Sequence, residues 1–290
     1  MTYDSDDSVD GGVSLSTATA AATAVATATT ATSATTTTVE PVPDGQKTKR
    51  PVPTHFLCIP LHHSPELHDS LDTLAKDIST HFPSLSIPEG AMRPAQAAHL
   101  TLGVMSLPSE EAVERAIELL RSTDMKALLQ EAAAVAATAA ATAAAATAGA
   151  PEISKLQQQQ QQPLTISLRG LATMSSPRKT TVVYTLPHDP SGRLQPFSNA
   201  IRRRFVEGGL IKDERRGLKL HLTLVNTAYA TSGKKKSRKR AKTLDVESLL
   251  EEFGDRVLVD VAVDRVSICL MGARKRDGAA GYREVFGVGL

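Results

Sequence analysis

Apolar and polar residues recur along this chain in two periods, one typical of strands and one typical of helices. A compact apolar run at 54–61 predicts a buried strand, and leucine and isoleucine at three- and four-residue intervals predict a helix over 65–81. A second strand is predicted at 98–105. The helix after it begins beyond Ser109, a natural N-cap that is followed by two glutamates in the first turn.

The second half of the chain repeats this plan. Its predicted strands lie at 164–168, 181–186, 218–225, 257–263, 266–271 and 285–290. Its predicted helices lie at 194–206 and 246–253. Each half contains one strand that carries the tetrapeptide His-Leu-Thr-Leu. The order of elements therefore predicts an α+β domain built from two similar lobes.

Some parts of the chain follow neither period. Residues 1–50 are predicted to be a disordered low-complexity tail, 131–150 are almost entirely Ala and Thr, and 157–162 are six consecutive glutamines. Such tracts lack the large side chains whose burial offsets the entropy of ordering. We therefore expect one domain over 51–290, interrupted at about 127–162 by a low-complexity insertion or by a frayed extension of the preceding helix.

Composition indicates which residues fill the core and in which compartment the protein is found. The chain has no Trp and only 3% aromatic residues, so the core is expected to consist of Leu, Val, Ile and Ala. Cys58 and Cys269 lie in apolar strand-like runs, which favours buried free thiols in a reducing compartment over a disulfide. The acidic start is unlike a signal peptide or a mitochondrial presequence. We expect a soluble intracellular protein, nuclear or cytoplasmic or both, without membrane attachment.

The repeated tetrapeptide is the strongest candidate for chemistry. It occupies 99–102 and 221–224. Because side chains alternate along a strand, His99 and Thr101 share one face while the leucines point into a core, and His221 and Thr223 do the same. One such motif is more often structural. Two identical copies among eight histidines, in lobes that repeat each other, predict one shared cleft with two imidazoles and two hydroxyls.

That set of groups suits phosphodiester cleavage without a metal. One neutral imidazole can remove a proton from the attacking group, and the other, protonated, can give a proton to the leaving oxygen. The threonine hydroxyls can bind the non-bridging phosphate oxygens. The other six histidines fall in no convincing zinc spacing, and no nucleotide-binding glycine loop is present, so we predict no metal and no cofactor.

These residues resemble a known family. The paired His-x-Thr strands are similar to those of the 2H phosphoesterase superfamily. The opening strand at 54–61, the segment Gly209-Leu210-Ile211 and the segment at 218–227 resemble the branch found in A-kinase anchoring proteins and in subunit 1 of the activating signal cointegrator 1 complex. The resemblance covers about 54–290. The KH domain that precedes this domain in the cointegrator subunit has no counterpart in the low-complexity N-terminal part here.

The resemblance implies a bilobal, pseudo-twofold α+β fold in which two antiparallel sheets flank a central cleft. It implies phosphoesterase activity at 2′,3′-cyclic or 3′-terminal phosphodiesters of RNA or nucleotides, in a domain expected to be monomeric. His99 and His221 match the catalytic histidines, with His99 favoured as acid and His221 as base, and Thr101 and Thr223 match the phosphate-binding residues. The alternative is a non-catalytic nucleotide- or RNA-binding module that serves in a transcription coactivator complex.

Charge adds one more candidate. Net charge is only +2, yet 200–242 contains fourteen Lys and Arg against three Asp and Glu. A basic loop at 233–242 holds the densest cluster: Lys234, Lys235, Lys236, Arg238, Lys239 and Arg240. It predicts a nucleic-acid-binding patch or a nuclear localisation signal, against the alternative of a solvated loop. Neutralising it is expected to lower RNA affinity or nuclear accumulation.

Overall fold

Two four-stranded antiparallel sheets with helices against them form most of the part of the chain that the structure describes. The structure is a computed structural model that describes residues 52–146, 162–230, 241–272, 274–276 and 279–290. In chain order its elements are β1 (His55–Pro60), α1 (Pro65–His81), β2 (His99–Met105), α2 (Glu110–Arg121), α3 (Met125–Ala146), β3 (Thr165–Thr173), β4 (Val182–His188), α4 (Leu194–Glu207), β5 (Leu222–Asn226), α5 (Glu247–Phe253), β6 (Val257–Ala262), β7 (Arg265–Leu270), β8 (Arg274–Arg276), β9 (Ala279–Gly281) and β10 (Glu284–Gly289).

The two sheets place the repeated motifs at comparable positions. Sheet one has the order β10-β7-β1-β2 and sheet two has the order β5-β4-β3-β6, so β2 and β5 are both edge strands. A small separate hairpin joins β8 to β9. This arrangement confirms the predicted α+β fold with two antiparallel sheets, one for each motif.

The lobes differ from the two halves of the chain. The sequence pattern placed all strands after residue 163 in a second lobe, but β7 and β10 return to sheet one, where β7 pairs with β1. The hydrophobic period of a strand indicates which of its faces is buried, but it does not indicate which strand it pairs with. The return of β7 and β10 to sheet one therefore cannot be predicted from their own sequences.

The core is built mainly from leucine, valine, isoleucine and alanine, as composition predicts. Phenylalanine contributes more than expected: Phe197 and Phe205, on the buried face of α4, are fully buried. On the other face of sheet one, Phe56, Cys58 and Cys269 form a separate small cluster. Both cysteines are free and buried, as predicted, and their Sγ atoms lie 3.8 Å apart.

The first part of the Ala/Thr tract is a helix rather than an unpacked insertion. Alanine has the highest helix propensity of all residues. The helix α3 packs on α4, and it buries Met125, Leu128 and Ala132. Among the described helices, none has the length and hydropathy needed to cross a membrane.

Three sequence predictions concern residues that the structure does not describe. These are the tail at 1–50, the glutamines at 157–161 and the basic residues at 234–240. The described residues from 52 onward belong to one compact unit.

Candidate active site

The two His-x-Thr motifs lie where the edge strands of the two sheets meet, since β2 contacts β5. In β2, His99 and Thr101 are partly buried while Leu100 and Leu102 are fully buried. The same alternation holds in β5, with one difference: the predicted strand at 218–225 begins only at Leu222, so His221 lies immediately before it. The leucines anchor each motif in the core and leave its polar groups facing the cleft.

Backbone pairing across the cleft holds the two motifs together. The segment before β2 pairs with β5: Met92 forms an antiparallel bridge with Val225, and the Arg93 N–H donates to the Leu224 carbonyl at 2.8 Å. On the other side, Met105 bridges to Ile211. The relative position of the two histidines is therefore fixed by main-chain contacts between the lobes and not by side chains alone.

Both histidines are oriented in the same way. The Nδ1 atom of His99 lies 2.7 Å from the Ala97 carbonyl oxygen, and the Nδ1 atom of His221 lies 2.9 Å from the Lys219 carbonyl oxygen. A carbonyl only accepts, so each Nδ1 carries a proton and donates it. Each Nε2 is thus left to take up a proton or, in the imidazolium form, to give one. The two motifs therefore share their sequence and also this contact, in which the histidine donates to the carbonyl of the residue two positions before it.

Burial keeps His99 in its neutral form. Its ring packs between Phe56 and Tyr282, with centroid distances of 4.9 and 5.0 Å. Burial lowers the pKa of His99 to about 4; the hydrogen bond to the Ala97 carbonyl opposes this, and the charges of Arg93, His221 and His62 add to it. At neutral pH the unliganded site therefore holds His99 without a positive charge.

His221 has different neighbours. Its ring packs against Tyr184, with 5.2 Å between centroids. Lys219 fixes that tyrosine by donating from Nζ to its hydroxyl oxygen at 2.5 Å. An aromatic ring thus supports each imidazole, but the lysine gives the His221 side of the cleft a positive charge.

Two adjoining depressions contain the motif residues. The first is a cavity of about 160 Å³ lined by His99, Thr101 and Thr223. The second is a groove of about 560 Å³ that contains His221 and shares Thr101 with the cavity. A larger depression of about 920 Å³ adjoins the groove, with which it shares Gly217, Leu218 and Lys219, but neither motif histidine lines it. The structure therefore brings all four predicted residues to two adjoining depressions, both of which Thr101 lines.

The groove beside His221 is positively charged. Its basic side chains are Arg202, Lys212, Arg216 and Lys219. Its one acidic lining residue among those described, Glu214, accepts a hydrogen bond from Arg216 Nε at 2.6 Å. Such a surface favours an anionic ligand that extends beyond the cavity.

Sequence reasoning missed three residues of the site. Arg93, Tyr229 and Tyr282 all line the cavity with His99. A usable signal was present: the chain has only four tyrosines, and these two and Tyr184 surround the motifs. Arg93 lies six residues before His99 but carries no pattern of its own. The predicted basic cluster at 234–240 lies outside the described residues, and no group of three or more potential metal ligands occurs among those that are described.

One family model matches most of the chain. The family model described as "AKAP7 2'5' RNA ligase-like domain" matches residues 53–283. An uncharacterised protein of Schizosaccharomyces pombe is 27% identical over 129 residues, which are 44% of this chain and 58% of that protein, so the chain spans little more than half of that relative's length.

Two solved structures resemble the chain at low sequence identity. Escherichia coli LigT in complex with 3′-AMP is 18% identical, with 82% of this chain and 98% of that chain covered and a TM-score of 0.42. Kluyveromyces marxianus Usb1 with uridine monophosphate is 16% identical, with 74% and 92% covered and a TM-score of 0.34. The family match covers most of the chain, including both motif strands and the hydrogen-bonded histidines on them. The chain therefore belongs to the AKAP7 2′5′ RNA ligase-like domain family, within the 2H phosphoesterase superfamily.

Proposed function

We propose that this domain is a metal-independent phosphoesterase that acts on 2′,3′-cyclic or 3′-terminal phosphodiesters of RNA or nucleotides. The observation that carries the proposal is the matched pair of imidazoles, each of which donates Nδ1–H to a carbonyl and keeps Nε2 free at one cleft. Membership of an RNA ligase-like family supports RNA or a nucleotide as the substrate.

The two imidazoles balance the protons of the reaction. With a 2′,3′-cyclic phosphate, one imidazole takes a proton from water while the water oxygen bonds to phosphorus. The bond from phosphorus to one ribose oxygen breaks, and the other histidine, as imidazolium, gives its proton to that oxygen. One water is consumed, and the single product carries a phosphomonoester on one ribose oxygen and a free hydroxyl at the other. Proton exchange with solvent then returns both rings to their starting forms.

The environment of His99 favours the reverse of the roles expected from the resemblance. A general base must be neutral before the reaction, and the pKa of His99 is lowered to about 4 by burial. We propose His99 as the base and His221, in the more open groove, as the acid. We therefore expect kcat/KM to fall on the acidic side only as the pH approaches 4, where His99 becomes protonated and can no longer act as a base.

The threonines suit the binding of the phosphate. The hydroxyls of Thr101 and Thr223 line the cavity, and neither has a hydrogen-bond partner among the described residues. A hydroxyl can donate to a non-bridging oxygen, where negative charge collects as the phosphorus becomes five-coordinate. Each threonine lies two residues after its histidine, and side chains at this spacing in extended backbone point to the same face. The two imidazoles and the two hydroxyls therefore face the same cleft.

A turnover assay tests the proposal. Purified protein is incubated with 2′,3′-cyclic nucleotides and with short RNAs that end in a 2′,3′-cyclic or a 3′-phosphate, and products are separated by chromatography. Conversion that is lost in His99→Ala and in His221→Ala supports the enzyme. Binding of the same compounds without conversion supports the alternative, a nucleotide- or RNA-binding module of a coactivator complex.

Location and partners belong to the same proposal. We infer a nuclear or cytoplasmic protein and, for the basic residues 234–240, nuclear targeting or RNA contact; their charge alone supports this. Replacing the six basic residues by glutamine and measuring RNA affinity and nuclear accumulation tests both roles. If neither changes, the segment is a spacer.

A further inference from the structure

The cavity beside His99 contains one fixed charge among its described lining residues, the guanidinium of Arg93. No described residue that lines the cavity is acidic, and no described carboxylate lies within 4.0 Å of this arginine. Two other arginines of the fold are arranged differently. Arg256 and Arg265 are also largely buried, with 30% and 31% of their side chains exposed, and each pairs with a carboxylate at 2.6 Å.

Arg93 is held rigidly although it lacks an acidic partner. Its guanidinium lies 4.2 Å from the centroid of the Tyr229 ring, and Nη2 donates to the Tyr282 hydroxyl at 3.2 Å. Its main chain is joined to β5 by the hydrogen bond to Leu224. A guanidinium has five N–H donors, and among the described residues only one of them is used. The remaining donors and the positive charge are therefore available to a ligand in a fixed geometry.

We propose that Arg93 binds the non-bridging oxygens of the reacting phosphate, together with Thr101 and Thr223, and is a further catalytic residue of this site. The inference rests on the proposed function. The size of the cavity supports it: about 160 Å³ is well below the roughly 300 Å³ at which sites for whole small molecules begin. The cavity therefore holds the phosphate and its nearest atoms, and the rest of the ligand lies outside, along the groove.

The chemistry of arginine fits this role. A guanidinium binds phosphate oxygens through two parallel hydrogen bonds and keeps its charge at all accessible pH values. In a metal-independent site it supplies the positive charge that offsets the growing negative charge on the phosphate. The same charge lies close enough to His99 to lower the pKa of that imidazole further. Arg93 thus acts on both the substrate and the base.

Three variants test the inference. Arg93→Gln removes the charge and leaves a shorter side chain with an amide donor. Arg93→Lys keeps the charge but loses the two parallel N–H donors of the guanidinium. Arg121→Gln is the matched control, because its guanidinium also lies over an aromatic ring, that of Phe286 at 5.0 Å, but outside the cleft. For each variant we would measure kcat/KM on a 2′,3′-cyclic nucleotide against pH, and the affinity for inorganic phosphate by calorimetry.

Arg93→Gln is expected to lower kcat/KM by about 10²- to 10³-fold, as removal of one transition-state donor does, and to weaken phosphate binding. Arg93→Lys should recover part of both losses, and Arg121→Gln should match the wild type. The acidic limb of the pH profile should move to higher pH in Arg93→Gln, because the charge of Arg93 is one of the contributions that lower the pKa of His99. The other titratable side chains that act on this imidazole are His221 and His62, and Tyr282 packs on its ring. If Arg93 were purely structural, a folded Arg93→Gln would bind inorganic phosphate as tightly as the wild type.

The outcomes separate this inference from the proposed function. An active wild type with an equally active Arg93→Gln overturns the role of Arg93 alone. A wild type that converts no substrate contradicts the proposed function, and phosphate affinity then decides: equal affinity in wild type and Arg93→Gln overturns the Arg93 site as well. If Arg93→Gln does not fold, as judged by circular dichroism, Arg93→Lys decides, because wild-type activity and phosphate affinity without the two parallel donors contradict bidentate binding.

Discussion

At the residue scale, the site depends on what surrounds each imidazole. His99 and His221 occupy equivalent motif positions and make the same carbonyl contact, yet one is enclosed by Phe56 and Tyr282 and the other lies beside Lys219. Identical tetrapeptides thus place their imidazoles in two different environments. In the proposed mechanism the environment rather than the sequence decides which imidazole is the base, because burial is the main cause of the low pKa of His99.

The low pKa of His99 predicts a loss of stability in acid. In the unfolded chain this imidazole becomes protonated near pH 6.5, but in the folded protein only near pH 4. The folded state therefore binds fewer protons between these values, and the free energy of unfolding falls as the pH is lowered through that window. The contribution of His99 is about 2–3 kcal/mol at pH 4.

Urea unfolding at several pH values measures this effect. The other titrating groups also change stability, so the comparison is with His99→Gln, which carries no titrating group at this position. Between pH 6.5 and 4 the wild type should lose about 2–3 kcal/mol more than this variant. Parallel stability curves for the two proteins would show that His99 is not held neutral by the fold.

At the element scale, local periods predicted most strands and helices. The helix at Pro65–His81 and the alternation in β2 follow directly from leucine spacing. The helix α3 was not predicted from leucine spacing, because an Ala/Thr tract has no distinct apolar and polar faces and resembles low-complexity sequence. Its order comes from a contact with α4 that is remote in sequence.

That contact predicts which side chains of α3 matter for stability. Leu128 is 1% exposed and faces the core, whereas Val135, on the same helix, is 55% exposed. Leu128→Ala should lower the free energy of unfolding by about 2–4 kcal/mol. Val135→Ala is the control and should change it by less than about 0.5 kcal/mol. Thermal or urea unfolding checks both, and equal effects would mean that the helix does not pack as described.

At the scale of the whole molecule, the residues of the site could be predicted from the sequence more completely than the strand pairing that brings them together. The His-Leu-Thr-Leu repeat identified four residues of the cleft because the motif and the strand period are both local. It did not identify Arg93, which is brought to His99 by the pairing of its segment with β5. Nor did it predict that β7 and β10 return to sheet one. Long-range pairing has no signature in the period of a single strand.

This difference has a physical reason. Burial sets the alternation within a strand, so a short sequence reports it. Which edge meets which edge depends on all the packed elements together. The cleft is formed by such a meeting, of β2 with β5, and its chemistry therefore depends on a contact between lobes rather than on either motif alone.

The central claim is that His99 and His221 act together in one step at one site. The most direct test is a double-mutant cycle: kcat/KM on a 2′,3′-cyclic nucleotide, in the presence of EDTA, for wild type, His99→Ala, His221→Ala and the double variant. Each single change should lower kcat/KM by about 10²- to 10⁴-fold. The double variant should be little less active than the less active of the two single variants, because the effects of groups that act as a unit are not additive. Losses that multiply, or a single variant with near wild-type activity, would contradict the claim.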